Sequence, residues 1–188
     1  MEPPTYDTLV AGLDDIRTSP ADAGHLALIV RRPGIDEREV VDTAALDVTD
    51  GLVGDTWRTR GSSRTADGAA NPDAQLTLMN SRAAALVAGP IERWPLAGDQ
   101  LYVDLDLGAA NLPPGTQLGL GSAVIEVTAL PHTGCQKFAA RFGPDAVKFV
   151  NSPDGRALNL RGINARVVTP GTVRVGDTVQ KVARPSAP

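Results

Sequence analysis

The sequence predicts a mainly β, single-domain fold carrying a few short peripheral helices, and three observations point there. Glycine and proline together supply 34 of the 188 residues (19 Gly, 15 Pro), well above their usual share of about 12%, so turns are frequent and the elements between them short. Apolar residues come mostly in short runs rich in Val, Ile and Leu, bounded by Gly, Pro, Asn or Asp, which is a strand signature. No internal repeat and no shift in charge or composition marks a second folding unit.

Tyr6, Leu9, Val10, Leu13 and Ile16 recur at helical spacing after Thr5, and Pro20 closes the pattern, predicting an amphipathic helix within an N-terminal extension at 1–20. Residues 25–32 form an apolar run ended by Pro33-Gly34, and 39–48 continues with β-branched residues, so two strands joined by a turn open the sheet. Residues 55–73 are polar apart from Trp57, a loop long enough to be either functional or disordered. A strand at 75–79 leads to a helix at 82–88, capped by Asn80 or Ser81 and stopped by Gly89-Pro90. Strands are predicted at 101–105, 117–120 and 123–128, the last with period-two alternation. Two helices follow at 135–142 and 144–150, the second opening on Pro144. Strands return at 164–168 and 173–182 around the turn Thr169-Pro170-Gly171-Thr172, and a Pro-containing tail occupies 183–188.

Charge and cysteine count narrow the function classes. Eighteen Lys and Arg against 22 Asp and Glu leave a formal charge of −4. No Lys/Arg block is present to neutralise many phosphates, so extended nucleic-acid binding is not expected and any anion site must be local. One Cys permits no internal disulfide, and one Cys with two His cannot assemble a structural zinc site of the Cys/His type. No apolar run approaches the roughly 20 residues that span a bilayer. Met1-Glu2-Pro3-Pro4 lacks the basic start and apolar stretch of a signal peptide, so a cytoplasmic location without membrane association is expected.

Direct search finds no Gly-x-x-x-x-Gly-Lys phosphate loop, no Gly-x-Ser-x-Gly nucleophile turn and no His-Glu-x-x-His pair. Gly119-Leu120-Gly121 lacks the third glycine of a dinucleotide loop. Asp104 and Asp106 alternate at strand spacing and read as a solvated face rather than as a metal or acid/base pair. The informative segment is 131–142, where Cys135, the only thiol, sits at a predicted strand-to-helix transition. Unpaired N–H groups and partial positive charge at a helix start favour a thiolate. Lys137 and Arg141 add positive charge, and His132 lies within local reach to orient a group or move a proton. A small buried core residue is the alternative reading of Cys135. Arg58, Arg60 and Arg64 in the polar loop, with Arg161 and Arg166 near the C-terminal strands, read as anion ligands or as solvated surface charges. His25 reads as a strand residue and Trp94 as a packing residue, while Trp57 either packs or walls a pocket.

A longer set of segments carries a family likeness. It runs from Gly51-Leu52-Val53-Gly54-Asp55 through Gln75-Leu76-Thr77-Leu78 and Gly98-Asp99-Gln100-Leu101 to Leu105-Asp106-Leu107. It continues with Pro114-Gly115, Leu120-Gly121-Ser122-Ala123-Val124-Ile125-Glu126-Val127-Thr128, Pro131, Cys135 and Lys137. It closes with Arg161-Gly162-Ile163-Asn164-Ala165-Arg166-Val167 and Gly171-Thr172-Val173-Arg174-Val175-Gly176-Asp177. In this order, across roughly 24–182, these segments resemble the molybdenum-cofactor sulfurase C-terminal (MOSC) domain family.

That resemblance implies a single-domain β-barrel at 24–182 and an association with sulfur or molybdenum-cofactor chemistry. Related domains hold sulfur as a persulfide on the matching cysteine, received from a pyridoxal-phosphate-dependent cysteine desulfurase, or bind molybdopterin with that cysteine as metal ligand. Either role falls on Cys135, with His132 and Lys137 as its catalytic neighbours and Arg58, Arg60, Arg141, Arg161, Asp99 and Gln100 as cofactor-binding candidates. Pyridoxal phosphate is expected only on the partner desulfurase, and a molybdoenzyme is the other implied partner. Two departures stand out: many members carry Glu-Asn where this chain has Asp99-Gln100, and a histidine where it has Thr56-Trp57-Arg58. The leading expectation is a stand-alone protein that binds molybdenum cofactor or carries sulfur. The alternatives are a molybdenum-dependent reductase of N-hydroxylated compounds and a non-catalytic module that binds an anion or partner.

Overall fold

The computed structural model describes residues 2–63 and 65–182; Arg64 and the tail expected at 183–188 lie outside the described residues. In chain order, the first half comprises α1 (Tyr6–Ala11), α2 (Leu13–Arg17), β1 (Ala23–Arg31), β2 (Glu39–Val41), β3 (Thr43–Asp47), β4 (Gly51–Leu52), α3 (Trp57–Arg60), β5 (Leu76–Asn80) and α4 (Ser81–Ala88). The second half comprises β6 (Leu101–Asp104), β7 (Gln117–Leu120), β8 (Ala123–Val127), α5 (Gln136–Phe142), α6 (Pro144–Val150), α7 (Pro153–Ala157), β9 (Ile163–Thr169), β10 (Gly171–Arg174) and β11 (Thr178–Lys181). Short 3-10 turns occupy Pro72–Ala74 and Ile91–Ala97.

Seven strands close a barrel in the order β11-β7-β8-β9-β5-β6-β1, with the start of β1 pairing back onto β11. The far end of β1 pairs with β2, and a separate sheet runs β10-β3-β4. Only the β5–β6 pair within the barrel is parallel, because α4 and the Ile91–Ala97 turn carry the chain from the end of one strand back to the start of the other. Asn80 ends β5 and caps α4, accepting from the N–H groups of Arg82 and Ala83, while its own amide donates to Ser19 and to the Leu105 carbonyl.

Two apolar cores share the same wall. Leu26, Ile29, Leu78, Leu101, Val103, Leu118, Ile125 and Ala165 fill the barrel interior. Leu28, Val30, Met79 and Tyr102 leave the outer face of β1, β5 and β6 and pack under α1, α2 and α4–α6. Alternation alone would put Leu26 and Leu28 on one face. A register shift between them in the β1–β6 pairing sends one inward and the other outward.

Several expected elements divide. The helix predicted over 6–16 breaks at Gly12, which caps α1 and precedes α2 and packs against the Leu86 side chain of α4. The strand predicted over 39–48 splits at Asp42 into β2 and β3, which serve different sheets. The strand predicted over 173–182 likewise divides into β10 and β11 around Gly176, whose φ is 91°. Helix α7, which sequence reading passes over, is signalled by Ser152, whose hydroxyl caps Gly155 N–H, and by Pro153 in its first turn. No helix among the described residues is long and apolar enough to cross a membrane.

Gly162, just before β9, packs between β5 and His132 of the stretch that leads to Cys135. Its φ is 111°, and a Cβ there would lie 2.2 Å from the Leu78 carbonyl and 3.2 Å from His132 Nδ1. Gly162→Ala should therefore destabilise the protein by about 3 kcal/mol or more, since backbone has to move in a strand shared by both cores. Urea denaturation checks this, and a loss under about 1 kcal/mol would contradict the packing described.

Candidate functional site

Beyond β8 the chain leaves the barrel and reaches α5 through an irregular stretch at 128–135. Asn151, just after α6, grips Gly134 on both sides: its Oδ1 accepts from Gly134 N–H at 3.0 Å and its Nδ2 donates to Gly134 O at 3.1 Å. A Cβ at Gly134 would sit 2.8 Å from Val150 Cγ2, so glycine is what lets the two segments close. Cys135 then takes the N-cap position of α5 with extended backbone (φ −122°, ψ 177°), and its carbonyl accepts from Ala139 N–H. Its thiol makes no capping hydrogen bond and is exposed. The buried-core reading of this cysteine is set aside by that exposure.

Under α5 lies a buried charged cluster. Asp99 is fully buried; Arg161 Nη1 donates to its Oδ2 at 2.6 Å, and His132 Nδ1 stands 3.5 Å from its Oδ1. Arg161 also donates to the Ala97 carbonyl at 2.9 Å and lies over the Phe138 ring of α5, 4.9 Å from its centroid. Burial pushes the Asp99 carboxyl above its usual range, and Arg161 and Arg32 pull it back. Gln100 faces the strands instead, accepting from the backbone N–H and the hydroxyl of Thr77. These residues hold α5 to the wall.

On the other side of α5 opens a cleft of about 560 Å³, lined by Arg32, Gly34, Ile35, Asp36, Arg38, Thr56, Thr59, Arg60 and Lys137. Asp55 organises its floor: its carboxylate takes Arg32 in a two-point grip (2.7 and 2.9 Å), accepts from Arg32 N–H, and accepts from Trp57 N–H at the start of α3. Arg32 reaches on to the Gly98 carbonyl at 3.0 Å. With Asp55 spent on Arg32, and Asp36 spent on Arg141 at 3.3 Å, three cations in the lining have no carboxylate partner among the described residues: Arg38, Arg60 and Lys137. Arg38 donates to the Pro95 carbonyl, while the side chains of Arg60 and Lys137 make no hydrogen bond among the described residues. Desolvation and neighbouring guanidinium groups lower the pKa of Arg38 and of Arg60 from the usual arginine value, with Asp36 and Asp55 respectively opposing the shift. Cations crowded together in this way favour an anion.

Lys137 and Cys135 lie two residues apart at the start of α5; Lys137 lines the cleft, whereas the exposed Cys135 is not part of its lining. The profile of the MOSC domain matches residues 65–180. The chain belongs to the MOSC domain family. A solved structure of the YuaD protein from Bacillus subtilis superposes with a TM-score of 0.64 at 15% identity, covering 86% of this chain and 97% of that one. YiiM from Escherichia coli superposes at TM-score 0.54 and 22% identity, covering 87% and 72%, and YiiM from Geobacillus stearothermophilus at 0.54 and 17%, covering 86% and 74%. These likenesses show the fold. No curated protein matches this chain by sequence.

The residues singled out from sequence separate into distinct places in this MOSC barrel. Arg60 and Lys137 meet at the cleft, and Arg141 borders it, donating to the Leu96 carbonyl and pairing with Asp36. Arg58 turns away to Asp50 at 2.6 Å, and Arg166 pairs with Glu126 at 2.6 Å and with Asp73. Arg161, Asp99 and Gln100 are buried. His132 bridges from Asp99 to two cavities, of about 190 and 430 Å³, that do not include the cationic cleft. Asp104 pairs with Arg82, and Asp106 accepts from Gly108 N–H. Trp57 is buried, with its indole N–H on the Asn71 carbonyl. Sequence reading missed Arg32 and Arg38. Pro33-Gly34 between them signals the turn that brings both to the cleft, yet the Asp55 that orients Arg32 lies 23 residues away.

Removing one half of the Asp99–Arg161 pair leaves a buried charge uncompensated. Arg161→Met should cost about 3–5 kcal/mol, with the double variant Asp99→Leu/Arg161→Met recovering part of that loss. Equilibrium denaturation of the three proteins measures it; a single variant as stable as wild type would remove the cluster from any account of how α5 is held.

Proposed function

We propose that this MOSC protein acts as a stand-alone carrier, holding sulfur or ligating molybdenum through Cys135 while the adjoining cleft takes the anionic part of its ligand. The observation that supports this reading most is the placement of the only thiol, exposed at the start of α5, the helix whose Lys137 lines a cleft where Arg38, Arg60 and Lys137 form no ion pair among the described residues. The residues fit the molybdenum cofactor implied by the family: the thiol is a soft ligand suited to molybdenum, and the three cations suit a phosphate. Bound there, that cofactor would supply redox chemistry at the metal. Cys135 would be its protein ligand, and the cleft cations would orient its phosphate.

For sulfur transfer the chemistry is redox-neutral thiol exchange. The Cys135 thiolate attacks the outer sulfur of a donor persulfide, an S–S bond forms at Cys135, the donor's S–S bond breaks, and the donor thiolate takes the proton that Cys135 gave up. A pyridoxal-phosphate-dependent cysteine desulfurase is the proposed donor. The thiol is exposed, where such a partner would meet it.

Mass spectrometry after incubation with a desulfurase and free cysteine should find one added sulfur atom on Cys135, removed by reductant and absent from Cys135→Ser. Metal analysis of protein made in a cofactor-competent host tests the other branch, with molybdenum expected in the wild type and lost in Cys135→Ser. Protein that takes up neither sulfur nor molybdenum would overturn this reading.

A further inference from the structure

The loop between β1 and β2 supplies one wall of the cleft, and its tip is built in an unusual way. Glu37 N–H donates to the Gly34 carbonyl at 3.3 Å, closing a four-residue turn. Asp36, third in that turn, has φ 59°, the left-handed conformation that a type II turn requires at this place. Its carboxylate is held by Arg141 of α5 at 3.3 Å, and Arg38 just beyond is tied to the Pro95 carbonyl. The turn is thereby anchored to α5 and to the Ile91–Ala97 turn, and the residue it displays at its second position is Ile35.

Ile35 is 90% exposed, more than any other large apolar side chain among the described residues, and it lines the cleft. Isolated apolar residues on a surface are ordinary. What sets this one apart is its position beside the unpaired cations Arg60 and Lys137, on a turn fixed by an ion pair. Small hydrated anions gain nothing from such a neighbour. A ligand with an apolar body attached to its charge would shield Ile35 from water as its anionic end reached the cations.

We propose that Ile35 is a specificity residue of the cleft, which selects an amphiphilic anion: a phosphate-type group held by Arg38, Arg60 and Lys137, joined to an apolar or ring-shaped body that covers Ile35. This rests on the reading of the cleft as an anion site, and it adds the contact that separates one class of anion from another.

Titration of the full chain with inorganic phosphate and with phenyl phosphate, followed by NMR or calorimetry, tests it. Wild type should prefer phenyl phosphate by about tenfold, the effect of partly burying one aliphatic side chain. Ile35→Ser should reduce that preference to about twofold or less while leaving inorganic phosphate binding unchanged, and Val48→Ser, exposed elsewhere, should alter neither. Equal binding of the two probes by wild type, an undiminished preference in Ile35→Ser, or a loss of both probes in that variant would overturn the role of Ile35. Failure of the double variant Arg60→Ala/Lys137→Ala to weaken either probe, or no binding of either by wild type, would instead overturn the anion cleft itself, and the proposal with it.

Discussion

Burial on both faces of β1, β5 and β6 is the constraint on which the rest of this structure depends. Their inner side chains fill the barrel and their outer ones form the floor under the helices, so these strands have little freedom to shift or slip. The residues that frame the site from below sit where the chain runs on or off this rigid wall. Arg32 directly follows β1, Asp99 and Gln100 precede β6, and Arg161 and Gly162 lead into β9, which pairs with β5. A barrel end thus offers fixed points from which loops project side chains, as loop-borne sites on rigid scaffolds generally do.

Two carboxylate–guanidinium pairs divide the labour around α5. Asp99 and Arg161 are sealed beneath the helix and serve its attachment, Arg161 also stacking on Phe138. Asp55 and Arg32 are nearly as buried, with side-chain exposures of 0% and 9%, but they form the floor of an open cleft. Buried pairs of this kind contribute more to the specificity of an arrangement than to net stability, because desolvation offsets much of their attraction. Here the consequence is electrostatic: Asp55 and Asp36 are paired with Arg32 and Arg141, so a protein of net charge −4 still gathers four basic side chains, Arg32, Arg38, Arg60 and Lys137, in the lining of one cleft.

Much of the architecture was legible from residue order. Asn80 before Ser81, Pro144 after Gly143 and the alternation of 123–127 each announce an element through local physics, a cap, a fixed φ or a two-faced strand, and each lies where expected. Failures occurred where distant contacts decide. The periodic helix over 6–16 divides at Gly12, and the strand from 173 to 182 divides because its halves are claimed by different sheets. The site divides along the same line. Cys135 could be recognised by being the only thiol at a helix start, whereas Arg58, Arg60 and Arg161 look alike in sequence and end in a surface pair, an open cleft and a buried cluster respectively.

From the amino-acid order alone came the strand-rich class, the family likeness and the choice of Cys135, since turn residues, alternation and a solitary thiol are local or compositional facts. Tertiary structure alone decided which charges are free. Whether an arginine attracts a ligand depends on whether a carboxylate already holds it, and the partners here, Asp55 for Arg32 and Asp99 for Arg161, lie 23 and 62 residues away, beyond what any local pattern can carry.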